Sequence, residues 1–249
     1  MKELFLNSKS LKIAINLYTG GHDGCIIIAP GWFMTKDSKA FSELSEMLSD
    51  DFDVITMDFR GHGRSTGAYT FTQKEIADID AVINYAKEYY KNINLLGFSL
   101  GAALVLTAGA KKENNISKII AVSPPSSFDK IENHCWKKEA WVSTLKKCEL
   151  KRWFSIRPSL RGLFSKDKPA PKEIIDKIKA PILFIAGEKD PTVGCWHTEE
   201  LYKNANTKKQ LEIVKNGAHA EDLFLENKIY FVNLCKNWLQ NTEYCTAKK

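Results

Sequence analysis

Short runs of β-branched and other apolar residues alternate along the chain with longer segments in which apolar residues recur at helical spacing. Continuous apolar runs of roughly four to eight residues are typical of strands buried on both faces of a parallel sheet. We predict strands over residues 2–6, 11–18, 25–29, 54–57, 93–96, 118–122, 181–186 and 210–214. Helical spacing predicts helices over residues 38–48, 71–90, 100–110 and 221–240. Strands that alternate with helices indicate right-handed βαβ units, so the predicted fold class is α/β with a doubly wound, mostly parallel sheet.

The segment 129–170 interrupts this alternation. It contains no clear strand, it is rich in tryptophan and lysine, and it ends in a proline-punctuated run from Lys168 to Pro171. We therefore predict an α/β core made of residues 1–128 and 171–249, with a small helical cap inserted at 129–170. In open α/β sheets ligands bind outside the carboxyl ends of the strands, so we expect the cap to cover that edge.

Composition adds little to this picture. The chain has 249 residues, of which 44% are hydrophobic and 27% charged, enough to form a core without a metal or disulfide staple. None of the six cysteines forms a C-x-x-C pair or a zinc-like cluster, which favours reduced thiols. The beginning of the chain lacks the apolar stretch of a signal peptide, and no apolar run is long enough to span a bilayer. We therefore expect a cytoplasmic protein without a membrane span.

The net charge of +6 is concentrated in the predicted cap. Residues 129–170 carry 11 basic and 5 acidic side chains, so the whole excess lies there. Because the rest of the chain is balanced, we do not expect a nucleic-acid partner. Two explanations stay open: the charges keep a small lid soluble, or they draw anionic substrates such as acyl-CoA or an acyl carrier protein toward the cleft. The basic residues interleaved with cap aromatics are Lys137, Lys138, Lys146, Lys147, Lys151, Arg152, Arg157 and Arg161.

The sequence Gly97-Phe98-Ser99-Leu100-Gly101 matches G-x-S-x-G directly after a predicted buried strand and at the start of a predicted helix. A serine in such a strained strand-to-helix turn is exposed as a nucleophile, and its glycine neighbours allow the close packing of the turn. The helix N-terminus points at the reaction centre, so we expect the Leu100 N–H to bind an oxyanion. Ser99 is the predicted nucleophile.

A nucleophilic serine needs a base and an orienting acid, which follow it in the chain order Ser, Asp or Glu, then His. Asp190 lies in the loop after the strand predicted at 181–186, and His219 follows the strand predicted at 210–214. We predict Asp190 as the acid and His219 as the base. Asp129 is the competing acid, and Glu188 is expected to point to solvent. The remaining histidines considered, which we expect to be surface or packing residues, are His22, His134 and His197.

Two further loops follow predicted strands. In Ala29-Pro30-Gly31-Trp32-Phe33, Gly31 allows close approach of the backbone and the Trp32 N–H is the predicted second oxyanion donor. The run from Asp58 to Gly67 contains G-x-G-x-x-x-G. A dinucleotide fingerprint would belong to the first βα turn and open a helix at once, so we instead predict a tight, buried turn near the active-site edge.

Taken together, Asp58 to Ser65 (D-x-R-G-H-G-x-S), Gly97 to Gly101, Gly187 to Asp190 (G-E-K-D) and Gly217 to His219 (G-A-H) resemble the α/β-hydrolase superfamily. The most similar branch is that of the small-capped serine esterases, which includes cinnamoyl and feruloyl esterases, monoacylglycerol lipases and serine aminopeptidase-like proteins. The resemblance covers almost the whole chain except the cap. It implies the same triad, Ser99, Asp190 and His219, and the same two oxyanion donors. Two positions depart from the family pattern: Pro30 stands where histidine is usual, and Ala102 where a further glycine is common.

These residues predict acyl transfer to water, with a carboxylic ester as substrate and neither metal nor organic cofactor. We expect the acyl pocket to be lined by aromatic side chains: Phe33, Phe98, Trp136, Trp141 and Trp153. Cap aromatics also commonly form the cap's own core, so that alternative stays open. The same triad serves thioesterases and amidases, and a ligand-binding module with little turnover is a further alternative of another class.

Overall fold

The structure is a computed structural model that describes residues 1–132, 155–168 and 170–241. Its strands are β1 Lys2–Ser8, β2 Leu11–Tyr18, β3 Gly24–Ala29, β4 Asp53–Met57, β5 Asn92–Phe98, β6 Lys118–Val122, β7 Ile182–Gly187 and β8 Lys209–Val214. They form one sheet in the order β1-β2-β4-β3-β5-β6-β7-β8. β2 pairs antiparallel with β1 and with β4, and every later pair is parallel. The predicted doubly wound, mostly parallel α/β sheet is confirmed.

Helices cover both faces of this sheet. The α-helices of the described residues are α1 Lys39–Leu48, α2 Ile76–Tyr89, α3 Leu100–Gly109, α4 Leu160–Leu163, α5 Cys195–Asn204, α6 Glu221–Glu226 and α7 Lys228–Gln240. Short 3-10 turns lie at Lys112–Asn114, Phe128–Lys130, Pro171–Glu173 and Ile175–Lys177. None of the helices described is both long and apolar enough to cross a membrane.

The core consists of two apolar layers, one on each side of the sheet. Successive strand residues point to opposite faces, so Ile27 and Leu95 pack into one layer, whereas Ile28 and Leu96 pack into the other. The first layer is covered by α2, α3 and α5, and the second by α1, α6 and α7. Burial on both sides explains why the central strands are apolar along their whole length. The rigid sheet then fixes the loops at the carboxyl ends of its strands.

Two helix boundaries differ from the sequence prediction. The helix predicted from residue 71 begins at Ile76, because Phe71 and Thr72 have left-handed φ angles of 54° and 76°. The helix predicted over 221–240 is two helices, α6 and α7. They are separated at Asn227, whose side chain accepts the Tyr230 N–H at 3.1 Å and so caps the second helix.

The described ends of the predicted cap lie against the core. On the returning side, the Tyr69 N–H donates to the Arg157 carbonyl at 2.8 Å, and the Arg157 N–H donates to the Gly61 carbonyl at 2.7 Å. Tyr69 also pairs with Pro158 in an isolated parallel bridge. The insertion therefore returns alongside the loop that follows β4. The division into core and cap stays a prediction, since residues 133–154 lie outside the described part of the chain.

Candidate active site

The nucleophile turn joins β5 to α3. Ser99 has φ 52° and ψ −120°, a strained conformation between the last strand residue and the first helical residue. A Cβ on Gly101 would lie 2.2 Å from the Ala29 carbonyl oxygen, and one on Gly97 would lie 2.6 Å from the Gly101 carbonyl oxygen. Only glycine fits at these two positions, so the G-x-S-x-G pattern is required by the packing of the turn.

The structure brings the three predicted catalytic side chains into one chain of hydrogen bonds. His219 Nε2 lies 2.9 Å from Ser99 Oγ, and His219 Nδ1 lies 2.7 Å from Asp190 Oδ2. The carboxylate can only accept, so the Nδ1–H donates to it and Nε2 is left to accept the serine hydroxyl. This is the tautomer that a general base requires.

Asp190 is held from its other side by the backbone of its own loop. Its Oδ1 accepts the Thr192 and Val193 N–H groups, each at 2.9 Å. The side chain is fully buried, so these two donors and the imidazole supply the hydrogen bonds that water would otherwise give. Both carboxylate oxygens are therefore fixed in their roles, one toward the backbone and one toward His219.

The competing acids lie elsewhere. Asp129 is exposed, and a hydrogen bond from the Ser127 side chain lowers the pKa of its carboxyl group. Glu188 is exposed, as predicted, and accepts the Asn216 N–H at 2.9 Å. Within the described residues, His219 pairs with Asp190 and with neither of these alternatives.

The loop after β3 runs directly beside the nucleophile. A Cβ on Gly31 would lie 3.2 Å from the Phe98 carbonyl oxygen and from the Ser99 Cβ. Trp32 follows Gly31 in this loop, and Leu100 begins α3 with an N–H that no helical carbonyl can satisfy. This arrangement supports the two predicted oxyanion donors, whose role stays a prediction.

The glycine-rich run after β4 forms the buried turn that the sequence predicted. Gly61 and Gly63 have φ angles of 71° and 49°, and a Cβ on Gly63 would lie 2.1 Å from Asp58 Oδ2. Asp58 accepts the Lys36 N–H at 2.7 Å and the Arg64 N–H at 3.0 Å. Burial raises the pKa of this carboxyl group to about 7. The carboxyl group joins this turn to the loop after β3.

One predicted pocket residue is corrected. Phe98 is fully buried in the core, where its ring contacts Phe41 edge-on at 5.1 Å and stacks on Phe231 at 5.9 Å. Strand alternation explains this position, because Phe98 shares a sheet face with Leu96. Phe33 lies in the loop beside the nucleophile, so its predicted role stays a prediction. The predicted cap aromatics Trp136, Trp141 and Trp153 lie outside the described residues.

A second serine–histidine pair lies behind the acid loop. His197 Nδ1 is 2.9 Å from Ser126 Oγ, and its Nε2 is 3.4 Å from Glu132 Oε2. Ser126 and His197 are both completely buried, so no substrate reaches them and the pair is a packing feature. His22 contacts the Ser49 carbonyl in a surface turn, and His134 lies outside the described residues.

Sequence reasoning did not single out His62. This side chain is 1% exposed, and its Nε2 accepts the Phe33 N–H at 3.3 Å. The available signal was the histidine between two glycines, Gly61 and Gly63, in a turn predicted to be buried near the active-site edge. Among the described residues, no cluster of histidine, cysteine, aspartate and glutamate is arranged to hold a metal ion.

Comparison with known proteins bears on the fold and the family. Residues 24–144 match the model of the α/β-hydrolase fold family. YqkD of Bacillus subtilis (strain 168) is 28% identical in an alignment of 197 positions, which covers 76% of this chain and 63% of YqkD. The chain thus spans less than two thirds of that relative. Human serine hydrolase BPHL is 23% identical over 270 residues, covering 93% of this chain and 86% of BPHL.

Among solved structures, the Pyrococcus furiosus esterase Pf2001 superposes with a TM-score of 0.76 at 21% identity. The superposition covers 98% of this chain and 93% of the esterase. At this level of identity, the likeness demonstrates a shared fold.

Proposed function

We propose that the chain is a member of the α/β-hydrolase family and a serine hydrolase that cleaves a carboxylic ester through an acyl-enzyme on Ser99. The sheet topology and the match of residues 24–144 to that family's model support the family assignment. The observation that carries the proposal is the continuous hydrogen-bonded chain from Ser99 Oγ through His219 to Asp190. A serine hydroxyl is a weak nucleophile unless a base can take its proton. His219, with its Nε2 free to accept from Ser99 Oγ, is suited to be that base.

In the proposed mechanism Ser99 Oγ attacks the carbonyl carbon of the ester while His219 Nε2 takes the hydroxyl proton. Asp190 stabilises the imidazolium that forms. The N–H groups of Trp32 and Leu100 bind the oxyanion of the tetrahedral intermediate. His219 then protonates the leaving alcohol, which leaves the acyl-enzyme. In the second half of the reaction His219 takes a proton from a water that attacks the acyl-enzyme. It returns this proton to Ser99 Oγ as the carboxylic acid is released.

The test of this proposal is covalent labelling. A fluorophosphonate is expected to modify Ser99, and mass spectrometry of the labelled peptide identifies the residue. The matched control is Ser126→Ala, which removes a serine that lies equally close to a histidine but is completely buried. This variant is expected to label like the wild type. A protein that neither labels nor hydrolyses any ester would support a ligand-binding module instead.

Thioesters and amides share the attack step with esters, so labelling alone does not separate them. The comparison that does is kcat/KM for an ester, a thioester and an amide with the same acyl group, and we expect the ester to be preferred. The expectation that the basic cap attracts an anionic carrier stays a prediction. Most of the residues that carry this charge, including Lys146, Lys147, Lys151 and Arg152, lie outside the described residues.

The rate is expected to rise with pH. A protonated His219 Nε2 cannot accept the Ser99 proton, so activity appears as the imidazolium loses its proton. His62 does not contribute to this titration, because burial lowers its pKa to about 4 and it is already neutral. The measurement is kcat/KM for an uncharged chromogenic ester from acid to mildly alkaline pH, with His22→Gln as the control that keeps the same profile. A bell centred in the acid range would indicate carboxylate chemistry instead.

A further inference from the structure

The loop that carries the Trp32 N–H has a conformation that its own sequence does not favour. The Met34 N–H donates to the Gly31 carbonyl at 3.3 Å and closes a turn, in which Phe33 has φ 69°. Glycine usually occupies a turn position with positive φ, because a side chain there is strained. Something outside the loop must therefore hold the bulky Phe33 in this conformation.

His62 supplies that hold from the neighbouring loop. Its Nε2 accepts the Phe33 N–H at 3.3 Å, and its Nδ1 lies 3.4 Å from the Arg60 carbonyl oxygen. Because Nε2 accepts, the ring proton resides on Nδ1, where it faces the Arg60 carbonyl. Burial lowers the pKa of this imidazole to about 4, so Nε2 stays available as an acceptor at neutral pH.

The imidazole ring of His62 is packed between two aromatic side chains. It meets Tyr69 edge-on at 4.5 Å and Trp32 edge-on at 5.4 Å, while Trp32 also stacks on Tyr69 at 5.1 Å. The turn that carries His62 is held in addition by the returning end of the insertion, because the Gly61 carbonyl accepts the Arg157 N–H. The acceptor atom of His62 therefore has a set position relative to the loop after β3.

Two consecutive residues of this loop therefore have different roles in the proposal. The Phe33 N–H is bound by His62, whereas Trp32, the predicted oxyanion donor, follows Gly31, where a Cβ would lie 3.2 Å from the Ser99 Cβ. Rotation of the peptide between Trp32 and Phe33 would break the bond to His62. The same rotation would disturb the loop that presents the Trp32 N–H.

We propose that His62 is a positioning residue for acyl transfer: by accepting the Phe33 N–H, it holds the loop so that the Trp32 N–H meets the developing oxyanion. This inference rests on the proposed function. His62 does not touch the substrate or the reacting atoms; it acts through Phe33 and Trp32.

The test uses three substitutions that differ in reach. Glutamine ends at the ε position and can place an oxygen acceptor near the Phe33 N–H, whereas asparagine ends at the δ position and can only face Arg60. Leucine removes both polar functions. Loss of one oxyanion donor costs about 10²- to 10³-fold in kcat, so a displaced donor should cost about 10- to 100-fold. We expect this loss in His62→Leu and His62→Asn with KM unchanged, and recovery in His62→Gln.

Two controls make the result specific. His22→Leu removes a histidine bonded to a backbone carbonyl in a surface turn, and it should leave kcat unchanged. Amide hydrogen exchange of the Phe33 N–H, followed by NMR, should accelerate in the Asn variant and stay slow in the Gln variant. If the Leu variant does not fold, the Asn and Gln pair decides the question alone.

Equal kcat values for the Asn and Gln variants would overturn the proposal while leaving the esterase assignment intact. A wild-type protein that hydrolyses no ester and takes no fluorophosphonate would refute the proposed function and, with it, the catalytic part of this inference. In that case amide hydrogen exchange of the Phe33 N–H still decides whether His62 holds the loop. Equal exchange rates in the His62→Asn and His62→Gln variants would overturn the proposal that it does.

Discussion

Replacing Ser99 with alanine is expected to lower kcat for ester hydrolysis by about 10³- to 10⁶-fold. The substitution removes the Oγ that lies 2.9 Å from His219 Nε2, so no acyl-enzyme can form. The remaining rate would come from the oxyanion donors and from substrate binding. Alanine keeps the same Cβ, so the strain of the left-handed turn is unchanged and Tm should stay close to that of the wild type.

The control for this prediction is again Ser126→Ala. It breaks a serine–histidine bond of the same length, 2.9 Å, but inside the core. Loss of one buried hydrogen bond costs about 1 kcal/mol of stability, so this variant should melt earlier and keep its kcat. Ser99→Ala is therefore expected to lower kcat and leave Tm unchanged, whereas Ser126→Ala is expected to lower Tm and leave kcat unchanged. A folded Ser99→Ala protein with wild-type turnover would place the nucleophile on another residue.

The meeting of Ser99, Asp190 and His219 could be predicted from the sequence because of the parallel sheet. Ser99, Asp190 and His219 each follow a different strand of the sheet, and the carboxyl ends of parallel strands meet at one edge of it. That residues far apart in the chain meet at this edge could therefore be predicted without knowing how the loops are folded. The role of the glycines around Ser99 could also be predicted, because the close packing of the nucleophile turn leaves no room for side chains at these positions.

Side-chain direction and contacts between loops were harder to predict. Phe98 was expected at the pocket, although alternation along β5 places it in the core with Leu96. The bond between His62 and Phe33 joins residues 29 positions apart, and it depends on how the loops after β3 and β4 are folded. Local sequence pattern specifies neither loop. The early start predicted for α2 has a related cause, since apolar Phe71 fits the helical spacing but lies in a left-handed turn.

Replacing Asp190 with asparagine is expected to cost about 10⁴-fold in kcat, the size of the effect known for the corresponding change in a serine protease. The structure explains why this near-isosteric change should be so damaging. The Thr192 and Val193 N–H groups both donate to Oδ1, so the oxygen of asparagine must face them. The amide NH₂ then faces His219 and donates to Nδ1, which leaves the proton on Nε2, where it blocks transfer from Ser99.

Asp129→Asn is the matched comparison, because Asp129 follows the neighbouring strand β6 and was the alternative acid. Its carboxylate is exposed and interacts with the Ser127 side chain, so its neutralisation should leave kcat and Tm near wild-type values. Both variants are measured with one chromogenic ester, and a melting curve for each excludes unfolding as the cause of a loss. If Asp129→Asn is the inactive protein, the acid has been misassigned and His219 must change partner during turnover. If instead Asp190→Asn alone is inactive and melts like the wild type, the defect lies in the tautomer of His219, as the two backbone donors to Oδ1 require.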